Sequence, residues 1–355
     1  MDLTSEFIPT IFDPAGADEQ DFRAFNALIN TLRAESRPDD PPRSLQATIN
    51  HLQGISALHD LDITIWVVRA GEHMIASAHT VVAHRQDNRH LMEGEIEVHP
   101  RYRRRGIGSR LLRELAHTAR CEKRTLLLGD TTDRVPAGAA FAAGLGAERG
   151  QEAHTNQLVL AEVDRRLIAS WQQVADSTAA AFEMGLWVGA YPEEELEEIA
   201  AMYEVMNTAP IDDLELEDFT VTPDMLRQGE DYQAQRGLER WTLFVRHRPS
   251  GKLAGYTETF FDPDQPHLLE QGDSGVLPDY RGRGLGKWLK AAMIAKVLRE
   301  RPGVRFIRTG NADSNAAMLA INRALGFNPY CSLTVWQVPL AKVENYLRNR
   351  GLEVS

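Results

Sequence analysis

Residues 276–290 read VLPDYRGRGLGKWLK, and residues 98–112 read VHPRYRRRGIGSRLL. Each stretch is an apolar run that stops at a proline, passes through arginines and glycines, and opens an amphipathic segment. Leu285, Trp288, Leu289, Ala292, Met293 and Val297 then recur at three-to-four spacing, as do Ile107, Leu111, Leu112, Leu115 and Ala119. That period predicts a helix with one buried face. Glycines at 282, 284 and 286 let the backbone turn tightly and let a ligand approach it. A helix starting near Leu285 presents unpaired amide hydrogens and the positive end of its dipole. Together these predict a seat for a phosphate group, with Arg281 and Arg283 adding fixed charge.

The likeness between the two stretches runs through most of the chain. Tyr102 and Tyr280, Gly106 and Gly284, and Gly108 and Gly286 are all 178 positions apart. The same offset pairs TIWVV (64–68) with TLFVR (242–246) and the strand QLVLAEV (157–163) with VWQVPLA (335–341); LGA (145–147) meets LGF (325–327) with a slip of two. One offset held this far indicates a duplication. Each half reads as helical segments, a hairpin of two strands, a third strand entering the Arg/Gly loop, a helix, a short strand, a second helix and a closing strand. The expected domains are 1–165 and 184–355, joined by a helix over 166–183. The expected fold class is α/β of the α+β kind: a mixed, mostly antiparallel sheet flanked by helices, present twice.

Three Gly-rich loops compete for the motif. A Walker loop needs Gly-Lys-Ser/Thr, but Trp288 follows Lys287. A dinucleotide fingerprint needs G-x-G-x-x-G within a parallel βαβ unit, whereas these glycines fall at every second position after a hairpin meander. The third option fits. Arg281-x-x-Gly284-x-Gly286, after Val276-x-Pro278 and before an apolar helix, resembles the acyl-CoA loop of the GNAT superfamily of N-acetyltransferases, as does Arg103-x-x-Gly106-x-Gly108. TGNADSNAAMLAINRALGF (309–327) resembles the fifth strand and fourth helix of that fold.

The resemblance implies two acyl-CoA N-acyltransferase domains with acetyl-CoA as co-substrate. The pantetheine arm would lie in a gap between splayed strands, near Val276 and, in the first half, Val98. The pyrophosphate would sit on Arg281, Gly282, Arg283, Gly284, Gly286 and Lys287, and in the first half on Arg103, Arg104, Gly106, Gly108 and Ser109. Asn311 and Asn315 are candidates for the pantetheine amides; capping the helix that starts near Ser314 is an equal reading of both. The acceptor amine would attack the thioester directly.

An ammonium is no nucleophile, so a proton must leave it. Glu270 and Asp273, on the strand before the loop, are the candidate bases. Alternation puts them on opposite faces unless a bulge intervenes. Many family members place a tyrosine acid four residues before the glycine of the LGF motif; here that place holds Asn322, and in the first half Ala142. Asn322 cannot deliver a proton but can hydrogen-bond the thiol. The first half also lacks the asparagines and the closing phenylalanine, so the C-terminal half is the expected site of chemistry.

Composition narrows the rest. The chain has 355 residues, 43% hydrophobic and 25% charged, with a formal net charge of −12. That balance argues against a nucleic-acid partner and suits a cationic small-molecule amine. No apolar run predicts a membrane span, and two cysteines, Cys121 and Cys331, fit a reduced cytoplasmic protein. The histidines at 79, 84, 90 and 99 have no metal-ligand spacing, so no metal is expected. Acetylation of a peptide or protein amine is the alternative activity, and a silent CoA-binding sensor or scaffold the alternative class. Either a monomer or a homodimer is compatible.

Overall fold

A computed structural model describes residues 7–173 and 175–354. In chain order these form β1 (Thr10–Ile11), α1 (Glu19–Ser36), α2 (Leu45–Gly54), β2 (Leu61–Ala70), β3 (His73–Ala83), β4 (Leu91–Val98), α3 (Ile107–Cys121), β5 (Leu126–Thr132), α4 (Pro136–Gly144) and β6 (Glu148–Val159). There follow α5 (Arg165–Gln172), α6 (Asp176–Ala181), β7 (Phe182–Val188), α7 (Leu196–Tyr203), α8 (Pro223–Gln235), β8 (Glu239–His247), β9 (Leu253–Phe261) and β10 (Leu268–Val276). The chain ends with α9 (Leu285–Glu300), β11 (Phe306–Ala312), α10 (Ala316–Leu325), β12 (Asn328–Pro339) and α11 (Leu340–Arg348). The mixed, mostly antiparallel sheet flanked by helices agrees with the expectation. Among the described residues no helix is long and apolar enough to cross a membrane.

The contacts divide the chain into two compact units, at points other than those read from the sequence. The first holds residues up to Glu152, the segment Asp212–Glu217, and the chain from Ser332 onward. The second holds Ala153–Ile211 and Asp218–Cys331. The cause is an exchange of closing strands. The strand expected to close the first half, β6, pairs antiparallel with β11 from Ala153 to Val159 and so belongs to the second unit. The strand expected to close the second half, β12, pairs with β5 from Leu333 to Pro339 and belongs to the first. The helix expected over 166–183 is also replaced. α5 packs on α9, α6 follows, and β7 begins at Phe182. The Ala-rich run before Phe182 reads as a helix that ought to continue. It stops because FEMGLWV pairs along β8, where the ring of Phe244 lies so close over Gly185 that a Cβ there would clash at 2.1 Å.

In the first unit the sheet runs β1-β2-β3-β4-β5-β12. α1 starts with a capping box, Asp18 accepting from the Asp21 amide while Asp21 reaches back to the Asp18 amide, which satisfies two orphan donors. Its face of Phe22, Phe25, Leu28 and Leu32 packs with Ile65 and Val67 on one side of the sheet. α3 and α11 cover the other side through Ile107, Leu111, Leu115, Val343 and Leu347.

In the second unit the order is β6-β11-β10-β9-β8-β7. α9 buries Leu285, Leu289, Met293, Ile294 and Val297 against Trp241, Leu243, Val245 and Ile307. At roughly 1.5–3 kcal/mol per buried side chain, an upper bound, this helix face is a main anchor of the unit. The opposite side is covered by α7 and α8, with Ile199, Met202, Leu226, Tyr191 and Tyr256 at its core.

The unit-by-unit registers show what the single offset of 178 hides. Both β-hairpins carry an irregularity, just before Arg69 in one and Arg246 in the other, which lie 177 apart. On the partner strands Ala76 sits opposite Val68 and Gly255 opposite Val245, and these two lie 179 apart. The structural match of TIWVV is therefore shifted by one residue from TLFVR, and the two offsets average to 178.

Candidate active site

Strands β10 and β11 run parallel, yet they pair only at Leu268–Glu270 with Phe306–Arg308. Beyond Glu270 their registered pairing ends, while β10 continues along β9 to Val276. In the first unit β4 and β5 pair only at Leu91–Glu93 with Leu126–Leu128. Both units therefore hold the splayed pair that the resemblance implies.

The two splays differ in one respect. β4 pairs with β3 without interruption from Glu93 to Val98. β10 shifts register against β9 between Gln271 and Ser274, which is a β-bulge at Gly272 and Asp273. The bulge answers the question of faces. A Cβ on Gly272 would point at Phe260 and Glu258, and the Tyr256 hydroxyl pKa is raised first by burial and then by the nearby Asp273 charge. Asp273 thus joins Tyr256 and Glu258 on the α7 side of the sheet. The opposite side carries Thr259, whose hydroxyl meets Met293 of α9, and Val276, packed near Gly286. Glu270, paired with Phe260, shares the α7 side with Asp273.

The loop after β10 makes a short 3-10 turn at Pro278–Tyr280 and then two left-handed steps, φ +74° at Gly282 and +81° at Gly284, the N-cap of α9. A Cβ at either glycine would meet nothing within 4 Å, so glycine is required by the backbone angle and not by packing. In the first unit Gly106 takes φ +79°, but the place of Gly282 is held by Arg104 at +65°, a strained position for a side chain of that size.

The side chains expected to grip the anion are largely engaged elsewhere. Arg281 donates from Nε to the Val276 carbonyl at 2.9 Å and from Nη2 to Thr208 Oγ1 at 2.6 Å, so it braces the loop against the end of β10. Arg103 does the same, with Nε 3.0 Å from the Val98 carbonyl and Nη1 2.7 Å from Glu35. The Arg283 guanidinium lies 5.8 Å from the Phe182 ring centre, and the Lys287 ammonium 5.2 Å from that of Trp171. Ser109 turns inward to the Tyr346 hydroxyl at 3.4 Å. What the loop offers is chiefly backbone.

The three asparagines separate into two roles. Asn315 caps α10 by accepting from the Met318 amide at 3.2 Å, the helix-capping reading of that residue. Asn322, 1% exposed, donates Nδ2 to Asn311 Oδ1 at 2.7 Å, and its own Oδ1 is buried without a hydrogen-bond partner. That orphaned acceptor fits a donor arriving from a ligand.

Sequence reasoning missed a polar network on the α7 side of the second unit. Glu258 of β9, 5% exposed, accepts from the Tyr203 hydroxyl at 2.7 Å. Tyr203 in turn meets the Tyr191 hydroxyl at 2.5 Å, which lies 3.1 Å from Thr242 Oγ1. The Arg240 guanidinium stacks 3.7 Å from the Tyr191 ring centre. The Tyr256 hydroxyl is buried with no hydrogen-bond partner. Burial raises the Glu258 pKa to about 7, and burial also raises that of Asp273. In TETFF nothing marks Glu258 as buried; only the tyrosine brought over it by α7 does.

In the first unit Glu93, Glu95 and Glu97 alternate along β4 onto one face. Burial raises the pKa of each, with that of Glu95 pushed up to about 8, and raises that of Asp130 on β5. His79 stands 3.8 Å from Glu95, its own pKa lowered by burial. No group of residues able to hold a metal ion occurs among the described residues.

One buried amine stands beside the site. Lys290 of α9 is 2% exposed, its Nζ 6.0 Å from the Phe327 ring centre, and burial lowers its pKa to about 7. An unfolded chain keeps that amine protonated up to about 10.4. The unfolded state therefore binds more protons between pH 7 and 10, and this residue makes stability rise with pH across that window. Lys290→Met is expected to raise the melting temperature at pH 7, by up to about 5 kcal/mol of stability. It should also flatten the pH dependence from 7 to 10, which thermal melts at several pH values would show.

The sequence profile of the Acetyltransferase (GNAT) family matches residues 25–147 and again residues 201–327. The chain belongs to the GNAT acetyltransferase family. It is a tandem GNAT N-acetyltransferase, and acetyl-CoA is the acyl donor the family uses. Over 243 residues it is 31% identical to a mycothiol acetyltransferase of Salinispora arenicola, covering 66% of this chain and 68% of that protein. A mycothiol acetyltransferase of Thermomonospora curvata is 30% identical over 246 residues, 69% of this chain and 73% of the other. Among solved structures, a tandem GNAT protein from the clavulanic acid biosynthesis pathway superposes with a TM-score of 0.76 at 29% identity, covering 94% and 98% of the two chains. A GCN5-related N-acetyltransferase from Sphaerobacter thermophilus shares the fold, with a TM-score of 0.66 at 16% identity over 95% and 96%.

Proposed function

We propose that the second unit transfers an acetyl group from acetyl-CoA to a primary amine of a small molecule. The observation that carries this reading is the bulge at Gly272 and Asp273: the second unit has it, the first does not, and it turns an acid onto the α7 side of the splay. The loop suits a pyrophosphate, because glycines at 282 and 284 leave the backbone open to approach and the start of α9 offers its first amides. Acetyl-CoA supplies an activated acetyl thioester. The Val276 backbone borders the splay, where an amide aimed at the thioester oxygen is worth on the order of 3 kcal/mol. The unpartnered Asn322 Oδ1 supports its accepting from the pantetheine arm or its thiol. Asp273 and Glu270 supply the negative charge that draws a substrate ammonium to the α7 side.

Two relatives named mycothiol acetyltransferase support a small-molecule acceptor. The first unit is assigned a scaffolding role. Its β4 lacks the bulge, and burial together with neighbouring carboxyls raises the Glu95 pKa to about 8. The test is thiol release from acetyl-CoA with a panel of small amines and peptides, with the acetylated product identified by mass. Stoichiometric thiol release and N-acetylation of a small amine are expected. CoA binding without thiol release would favour a sensor, and turnover with peptides alone would favour protein acetylation.

A further inference from the structure

The buried network behind the bulge has a direction. Glu258 presents two oxygens to two different places. Oε2 accepts from Tyr203, whose hydroxyl leads through Tyr191 to Thr242. Oε1 faces the bulge, where it accepts from the Asp273 amide at 3.4 Å, and a Cβ on Gly272 would stand 3.1 Å from it. Glycine at 272 thus leaves room for this carboxylate against the bulge. The buried Tyr256 hydroxyl, unpartnered, lies on the same face beside Asp273. A buried donor without an acceptor and a buried carboxylate on the same face, both beside the bulge, point to a polar ligand group that reaches them there.

We propose that Glu258, rather than an acid of β10, takes the proton from the acceptor ammonium in the second unit, with the Tyr203 and Tyr191 hydroxyls holding its carboxylate in place. The assignment rests on amine acetylation by that unit. One N–H bond of the ammonium breaks and an O–H bond forms on Glu258. The nitrogen lone pair then forms the N–C bond to the thioester carbonyl as the C–S bond breaks, and the sulfur leaves with its electron pair and takes the second amine proton. Asp273 and Tyr256 orient the ammonium.

The charged and titratable groups facing Glu258 are Tyr203 from α7, Tyr191 before it, Arg240 from β8, Tyr256 from its own strand and Asp273 from β10. Burial is the largest influence and raises its pKa to about 7; the Tyr203 hydrogen bond, Arg240 and the Asp273 amide lower it, and the Asp273 carboxylate raises it. A base must be deprotonated to act, so kcat should climb with pH through about 7 and level above it.

Steady-state kinetics from pH 5.5 to 9, with calorimetry of CoA binding alongside, test the proposal. Glu258→Gln should lower kcat by about 100-fold or more and abolish the rise near pH 7, with CoA affinity unchanged. Tyr203→Phe removes a hydrogen bond to the charged form, so the midpoint of the rise should move up by about one pH unit. A merely structural role would lower activity without moving that midpoint. A pH limb that survives Glu258→Gln but vanishes in Asp273→Asn would overturn the assignment and make Asp273 the base. Absence of amine acetylation by the unaltered protein would instead overturn the underlying function.

Discussion

Gly284→Val is expected to reduce amine acetylation by about 100-fold to 10,000-fold, and Gly106→Val by no more than about twofold. Both glycines sit at the N-cap of a helix with φ near +80°; a Cβ would meet nothing within 4 Å at Gly284 and only Arg110 Nη1, at 3.9 Å, at Gly106. A β-branched residue there costs roughly 1–2 kcal/mol of backbone strain, so each variant should still fold, with a modest drop in melting temperature. The activity loss has another origin. A branched side chain at the N-cap of α9 would crowd the helix end on which the proposed function seats the pyrophosphate. Losing two hydrogen bonds to a charged group, at about 1.5–3 kcal/mol each, gives the predicted loss. In the first unit the same damage falls on a domain whose third strand lacks the bulge, so turnover should survive. Paired measurements of kcat/KM and CoA binding decide the matter. Equal loss from both variants would mean that both units act on substrate.

What could be read in the sequence was local. The Arg/Gly loops, the helix faces and the order of elements depend on residues a few positions apart, and the positive φ angles at Gly106, Gly282 and Gly284 agree with the glycines that mark them. Three features lay beyond that range. The bulge is one extra residue inside a strand: Glu93 and Glu270, equivalent in the parallel pairing, lie 177 apart and Val98 and Val276 lie 178 apart, a step that a single offset conceals. The strand exchange was hidden because the closing strands of the two halves resemble each other, so the sequence cannot say which sheet each one joins. The burial of Glu258 depends on Tyr203, some 55 residues away, and alternation alone makes a glutamate in TETFF look solvated. Arg281 shows the reverse error: its charge beside glycines suggests a phosphate ligand, yet its guanidinium is bound to Val276 and Thr208.

A fragment of residues 184–355, the C-terminal domain as bounded by sequence, is expected not to fold, whereas residues 153–331 should. The shorter reading omits Leu158, Leu160, Val163, Ile168 and Phe182, all part of the core around α9. Core truncations of this kind cost about 2–5 kcal/mol each. Five together exceed the roughly 5–15 kcal/mol that holds a domain folded. The same cut strips β6 from β11 and leaves the seven residues of Phe306–Ala312 as a bare strand edge, a template for aggregation. It also carries β12 and α11 without the sheet they complete, exposing Val338, Val343 and Leu347. Residues 153–331 keep the whole six-strand order of the second unit and its two core layers. Gel filtration, far-UV circular dichroism and urea melts of the two fragments separate the cases. A monomeric 184–355 that unfolds cooperatively, with the denaturant slope of a complete domain, would show that β11 does not need the strand that the first half of the chain supplies.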